Sequence, residues 1–331
     1  MEKKPKILVV GSFMMDLISR TYKVPGEGET ITGQSFSTAS GGKGANQAVQ
    51  AALLGAEVTM AGKVGDDIFG SQMIASLAAA NVNVEHIIKD RVTASGVGNI
   101  TLEVRDGQKT KNRILILPGA NMTLTPEDIK FLKNKISKYD MVILQNEIPA
   151  ETNEAVIEFA YSSGVPVMLN AAPSRPVSQR IMSKLAYISP NEHEAFDMTG
   201  IKIDVNGSGI DFCTVKNVTN YFLDRGVKNV LITLGSNGVV MANHEKYIFH
   251  PCIDVVDVAD PTAAGDSFVG AFCTGICSGM TEESAIEFAS YAATITVSRL
   301  GAQPSLPTYG EVAELMEAVK IKGQNYRRVV L

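Results

Sequence analysis

Short apolar runs alternate along this chain with longer amphipathic stretches. Ile7-Leu8-Val9-Val10, Met141 to Leu144, Val165 to Leu169 and Val230 to Leu234 each read as a buried strand. Between the second and third runs, Glu151 to Ser162 leaves room for one helix and its turns. Strand, helix, strand in that rhythm predicts an α/β fold, a three-layer α/β/α arrangement with a mostly parallel central sheet covered on both faces. Ligands of such sheets gather at the carboxyl ends of the strands.

Two segments break the rhythm. From about 20 to 40, Thr30-Ile31-Thr32 and Ser35-Phe36-Ser37 alternate between Gly26, Gly28 and Gly33. From about 96 to 117, Asn99 to Val104 is followed by the turn Asp106-Gly107 and a second β-rich run ending at Ile116. Period-two alternation joined by Asp-Gly predicts a hairpin. Both segments are expected to form a small β-sheet outside the main one, a lid through which two copies would pair as a homodimer. Val239-Val240-Met241 and Tyr247-Ile248-Phe249 predict another antiparallel patch. With no repeat, low-complexity tract or linker, residues 1–331 are expected to form a single domain.

Composition narrows the function classes. Hydrophobic residues make up 45% and charged residues 20% of the 331, and the net charge of −5 comes with 30 scattered basic residues. Nucleic acid binding would need a basic stripe, so no nucleic acid partner is expected. The apolar runs are too short to span a bilayer. Met1-Glu2-Lys3-Lys4-Pro5 leads straight into a strand, and the end Val329-Val330-Leu331 is not a peroxisomal signal, so a cytoplasmic location is expected. Cys213, Cys252, Cys273 and Cys277 form no C-x-x-C pair and read as thiols of a reducing compartment. His86, His193, His244 and His250 lack metal-ligand spacing, which leaves a zinc enzyme or His-based hydrolase unsupported.

The chemistry concentrates in four segments. In Asp257-Val258-Ala259-Asp260-Pro261-Thr262-Ala263-Ala264-Gly265-Asp266, small residues lead into the apolar periodicity Phe268, Val269, Phe272, Ile276. That is a tight loop feeding a helix N-terminus, where unpaired N–H groups and the dipole favour phosphate. Asp266 beside such a site either accepts a proton from an attacking hydroxyl or caps the helix. The segment alone leaves both open. Ser40-Gly41-Gly42-Lys43-Gly44-Ala45-Asn46-Gln47-Ala48 offers close backbone approach and donors for hydroxyls, or a flexible turn. It is not a Walker A loop, because Gly44 follows Lys43. Ser189-Pro190-Asn191-Glu192-His193-Glu194 and Thr233-Leu234-Gly235-Ser236-Asn237-Gly238 place polar loops after strands, where a nucleotide would lie.

In this order and over almost the whole chain, from Val9-Val10-Gly11-Ser12 to Gly301-Ala302-Gln303-Pro304-Ser305, these motifs resemble the ribokinase-like (phosphofructokinase-B) carbohydrate kinase family. The resemblance implies phosphorylation of D-ribose at its 5-hydroxyl by ATP, with Asp266 as general base and the N–H groups of Ala263, Ala264, Gly265 and Asp266 as an anion hole. It assigns the sugar to Met14, Asp16, Gly41, Gly42, Lys43, Asn46 and Glu147. ATP falls to Asn191, Glu194, Thr233, Leu234, Gly235, Ser236, Gly238, Gly265 and Ser290. Glu194 would organise Mg2+ through water. K+ would be an activator held mainly by backbone at Asp260, Thr262, Thr296, Arg299, Gly301 and Ser305. Three positions depart from the family's pattern: Met14 replaces an Asn of many bacterial members, Ser290 a His, and Pro261 a Thr. The alternatives are a kinase of the same family for 2-deoxyribose, fructose or adenosine, and a non-catalytic sugar- or nucleotide-binding protein. An NAD-dependent dehydrogenase would need a G-x-G-x-x-G after the first strand, which is missing.

Overall fold

The computed structural model describes residues 4–104, 111–206, 209–321 and 329–330. Its first half runs β1 (Lys6–Val10), β2 (Met14–Thr21), β3 (Ser35–Gly41), α1 (Lys43–Leu53), β4 (Glu57–Gly65), α2 (Ile68–Ala79), β5 (Asn83–Asp90), β6 (Val97–Glu103) and β7 (Lys111–Leu117). The middle holds β8 (Met141–Gln145), α3 (Ala150–Ser162), β9 (Val167–Asn170), α4 (Gln179–Met182), β10 (Tyr187–Ser189), α5 (Glu192–Thr199), β11 (Val205–Asn206), β12 (Gly209–Ile210) and α6 (Phe212–Leu223). The remainder is β13 (Asn229–Thr233), β14 (Val239–Ala242), β15 (Tyr247–His250), α7 (Ala264–Cys277), α8 (Glu282–Val297), α9 (Tyr309–Ile321) and β16 (Val329–Val330).

One sheet has the order β16-β15-β14-β13-β10-β9-β8-β1-β4-β5. From β13 to β5 every pairing is parallel, and β14, β15 and β16 add an antiparallel edge. Alternation within the buried strands divides the interior. Ile7 and Val9 of β1, with Met141 and Ile143 of β8, join the core built on α1, α7 and α8. Leu8, Val10, Val142 and Leu144 point the other way, into the core with α3 and α6. Side chains buried on both faces explain why these strands read as unbroken apolar runs. The result is the three-layer α/β/α arrangement expected from the sequence.

A separate four-stranded sheet has the order β3-β2-β6-β7. The hairpin pairing of β6 with β7 runs in register from Val97↔Leu117 to Glu103↔Lys111, while the expected turn Asp106-Gly107 lies outside the described residues. Three expectations shift. Thr30-Ile31-Thr32 is not a strand, whereas β2, which carries Asp16, is one and begins upstream of the segment singled out at 20. The run from Val165 starts its strand only at Val167, because Pro166 has no N–H for a ladder and contributes its carbonyl, to Val142 N at 2.9 Å. The β14–β15 hairpin, expected as an antiparallel patch, is continuous with the main sheet, joined to β13 on one side and to β16 on the other. Among the described residues no helix is long and apolar enough to cross a membrane.

Candidate active site

The loop from Asp260 enters α7 through Ala263, whose φ of 61° and ψ of 5° lie in the left-handed region. An L-residue there costs about 1–2 kcal/mol, a strain that clusters where backbone must aim at a ligand. Ala264 N reaches Pro261 O at 3.3 Å, and Ser267 N donates to Ala263 O at 2.8 Å. The first-turn N–H groups of Gly265 and Asp266 find no partner among the described residues, as helix geometry dictates. A Cβ on Gly265 would meet nothing within 4 Å, so the backbone there borders open space.

Asp266 does not cap α7. The helix has no side-chain cap bond, and the Asp266 carboxylate turns instead toward α1. Its Oδ2 accepts from Asn46 Nδ2 and its Oδ1 from Gln47 Nε2, both at 2.9 Å. Asp266 is only 6% exposed. The two helices come this close because Gly270 follows one turn later: a Cβ there would stand 2.9 Å from Gln47 O. The capping alternative left open by the sequence is thus removed, and a buried, oriented carboxylate remains.

α1 is anchored from below by the turn after β1. Gly42 holds φ 93°, and a side chain on it would meet Met14 N at 2.7 Å. The close approach that Gly42 permits is therefore between two segments of the protein itself. Glu147 Oε2 accepts from Ser12 Oγ at 2.5 Å and from Lys43 N at 3.1 Å, placing an anion at the N-terminus of α1. Ser12 Oγ in turn accepts from Gly44 N at 3.3 Å.

A cavity of about 210 Å³ opens over these elements. Lys43, Asn191, Glu194, Thr233 and Asp266 line it together with the backbone of Ala263 to Gly265. Burial presses the Lys43 ammonium down, but the carboxylates of Asp266, Glu147 and Glu194 more than offset this and hold it above its ordinary value. Three carboxyl groups thus act electrostatically on one ammonium group. Burial raises Glu194, against the opposing pull of the Asn191 N–H and Lys43. Asn191 and Glu194 form a reciprocal capping box on α5, Asn191 Oδ1 accepting from Glu194 N at 2.8 Å and Glu194 Oε2 from Asn191 N at 2.8 Å. An isolated bridge sets Asn191 beside Thr233 at the end of β13.

Of the other residues expected at the nucleotide, Gly235 and Ser236 are exposed just beyond β13, and Gly238 packs against the His250 carbonyl. The Leu234 side chain is buried in the apolar interior, so only its backbone can face a ligand. Ser290 lies on α8, its hydroxyl bonded back to Ile286 O at 2.8 Å, and does not line the cavity.

On the small sheet, Met14 pairs with Gly41 and is buried. Asp16 sits between Ala39 and Gly98 of the flanking strands. Burial, with Glu147 and then Asp260 adding repulsion, pushes its carboxyl up to about 6. Asp260 ties two loops together. Its Oδ1 accepts from Thr262 N and Oγ1 at 2.9 and 2.6 Å, and its Oδ2 accepts from Gly301 N at 3.0 Å. Burial raises the Asp260 carboxyl, and these bonds outweigh it to leave it low. The hydroxyls of Thr296 and Ser305 are buried in bonds to Ser267 and Ala302 O. Arg299 turns away from the loop to Glu311 at 2.5 Å.

Residues missed by the sequence reading stand beside those it named. Gln47 also donates to Asn170 Oδ1 at 3.0 Å and accepts from Gln145 Nε2 at 2.7 Å. Asn121 clamps Phe13, accepting from its N–H at 2.9 Å and donating to its carbonyl at 2.7 Å. Asn170 ends β9, and its place at the carboxyl end of a central strand could have flagged it.

A family model described as pfkB family carbohydrate kinase matches residues 4–309. The chain is 41% identical over 318 residues to the ribokinase of Schizosaccharomyces pombe, covering 92% of this chain and 96% of that one. It is 34% identical to the deoxyribokinase of Salmonella typhi, covering 94% and 98%. The solved structure of Arabidopsis thaliana ribokinase complexed with ribose and ATP superposes with a TM-score of 0.85 at 31% identity, over 95% of this chain and 99% of that one. With this match over nearly its whole length, the chain belongs to the pfkB family of carbohydrate kinases.

Proposed function

We propose that the chain is a ribokinase, transferring the γ-phosphoryl group of ATP to the 5-hydroxyl of D-ribose to give ribose 5-phosphate and ADP. The observation that carries this reading is the Asp266 carboxylate, buried at the third position of α7, freed from capping and held by two amides on the wall of the cavity. The ribokinase relatives supply the sugar. As the hydroxyl oxygen attacks the γ-phosphorus, Asp266 takes its proton, and the bond to the β–γ bridging oxygen breaks to release ADP. The backbone at 263–266 offers N–H groups to the transferring oxygens, and Lys43 neutralises charge beside them.

Met14, Asp16, Gly41, Gly42, Asn46 and Glu147 would surround the sugar, and Asn191, Thr233, Gly235 and Ser236 the nucleotide. Mg2+ arrives with ATP and would neutralise its β- and γ-phosphates, with Glu194 orienting the ion's water. Asp260, Thr262, Thr296, Arg299, Gly301 and Ser305 suit a K+ ion. Asp260 already draws the two loops together, and Arg299 keeps its charge elsewhere. Residues 1–331 act as one kinase domain, with the small sheet as its lid. Phe36 and Ile114 to Leu117 are exposed on that sheet and would pair two copies into a homodimer. Cys213, Cys252, Cys273 and Cys277, read as thiols of a reducing compartment, support a cytoplasmic location.

A second reading, 2-deoxyribose as the acceptor, is favoured by the buried Met14 thioether and by the deoxyribokinase relative. An ADP-coupled assay over pentoses, hexoses and nucleosides tests both. Ribose should give the highest kcat/KM. No turnover with any sugar would overturn the kinase reading.

A further inference from the structure

We propose that Gln47 is a positioning residue of the reaction, a buried amide that fixes the plane of the Asp266 carboxylate without touching substrate. The inference rests on the reading of Asp266 as the base. Gln47 is fully buried and does not line the cavity, so any effect it has on the reaction passes through a neighbour. Its polar atoms are all engaged. Nε2 gives one hydrogen to Asp266 Oδ1 at 2.9 Å and the other to Asn170 Oδ1 at 3.0 Å, and Oε1 accepts from Gln145 Nε2 at 2.7 Å.

The direction of this relay is fixed by its ends. An ionised carboxylate only accepts, so Gln47 must present its NH2 group to Asp266. Asn170 donates its own NH2 group to the Ser189 carbonyl at 2.8 Å, another group that only accepts, and therefore shows its oxygen to Gln47. Gln145 must then offer its NH2 group to the remaining oxygen of Gln47. Flipping any one of these amides would set donor against donor or acceptor against acceptor inside the protein. The Gln47 side chain is held from three directions: by β8 through Gln145, by β9 through Asn170, and by α7 through Asp266. Asn46 fixes the second carboxylate oxygen at 2.9 Å. One amide on each oxygen prevents rotation about the Cβ–Cγ bond and leaves lone pairs free toward the cavity for the sugar hydroxyl.

The test is a double-mutant cycle of Gln47→Met, close to glutamine in length and volume, with Asp266→Ala. Alanine is used because an asparagine could present a donor to the Gln47 donor. Turnover is measured at saturating ribose and MgATP, and ribose affinity by calorimetry. Misplacing the base should lower kcat by ~10- to 100-fold in Gln47→Met with ribose affinity within ~3-fold of wild type. In the Asp266→Ala background the same substitution should change kcat by less than ~3-fold, because the group it positions is gone. A loss of equal size in both backgrounds, or kcat within ~3-fold of wild type in the single variant, overturns the proposal. If Asp266→Ala by itself keeps more than about a tenth of kcat, the base reading fails, a separate outcome read from the single variant. Should Gln47→Met not fold, Gln145→Met decides. It removes the donor to Gln47 Oε1 and should lower kcat at least ~3-fold only where Asp266 is present, and an unchanged kcat counts against the relay.

Discussion

Asp16 and Gly98 are directly paired on adjacent strands of the small sheet, and a Cβ on Gly98 would stand 2.5 Å from Asp16 Oδ1. The missing side chain is what leaves room for the Asp16 carboxylate. Gly98→Ala has no left-handed φ to violate, and the atom it meets is the end of a flexible side chain. The sheet should survive while the carboxylate swings aside. Losing one hydrogen bond to a charged acceptor costs about 1.5–3 kcal/mol, so the Kd for ribose should rise at least ~10-fold with little change in Tm. Unaltered ribose affinity by calorimetry would detach Asp16 from the sugar.

The pH dependence of ribose binding should follow the same residue. Burial, then Glu147 and Asp260, raise the Asp16 carboxyl to about 6 in the folded protein. Below that pH the group is protonated and loses acceptor capacity, so ribose should bind more weakly as pH falls from 7 to 5. Stability runs the other way. A carboxyl whose folded pKa exceeds its unfolded value binds the proton more tightly when folded, so this residue's contribution improves as pH falls through about 6 toward 3.8. Calorimetry on Asp16→Asn should show the dependence on pH flattened. A slope retained in that variant would place its origin elsewhere.

Asp266→Asn should leave ribose and ATP affinity largely intact and lower turnover by about 10²–10⁴-fold, the usual contribution of a positioned base. Its amide keeps an acceptor for Asn46 or Gln47 but cannot take the hydroxyl proton. Retention of more than about a tenth of wild-type kcat removes Asp266 from the role.

The contrast between what the sequence discloses and what it hides has a physical origin. β1 and β8 are buried on both faces, so their apolar runs stand out whatever surrounds them. β2 escapes a pattern reading because Met14 and Met15 are both buried and the residues after them only half so, which destroys the period of two. In the site, Asp266, Lys43 and Asn46 are legible because small residues and glycines crowd around them. Gln47 stands next to Asn46, yet its partners Gln145 and Asn170 are 98 and 123 residues away, and uncharged amides leave no local trace of such a relay.

Potassium should activate the enzyme. Asp260 joins Thr262 to Gly301, which brings the carbonyl-rich loop before α7 against the loop after α8. An ion between them would act through loop geometry and field at the anion hole, without touching ATP. Turnover should fall when potassium is replaced by a large inert cation at constant ionic strength. Equal activity in the two salts would exclude the ion from these loops.

The choice of sugar rests on unpaired groups. Under the proposed reading Asp16, Lys43, Asn46 and Glu147 surround a pentose, and a site built around a hydroxyl penalises the analogue that lacks it, because its own polar atoms are then left without partners. D-Ribose should therefore exceed 2-deoxyribose in kcat/KM by at least ~10-fold, about one unmade hydrogen bond. Asp16 is the residue expected to sense the difference. Among the described residues its carboxylate has no hydrogen-bond partner, and burial raises its pKa, as expected of an acceptor waiting for a donor. Asp16→Ala should then harm ribose far more than deoxyribose and shrink the gap between them. Met14 works in the opposite sense, since a buried thioether beside Gly41 accepts an apolar C2 more readily than an amide would. Met14→Asn should accordingly widen the preference for ribose. A higher kcat/KM for deoxyribose in the wild-type enzyme would replace the ribose assignment with the second reading and leave the kinase assignment standing.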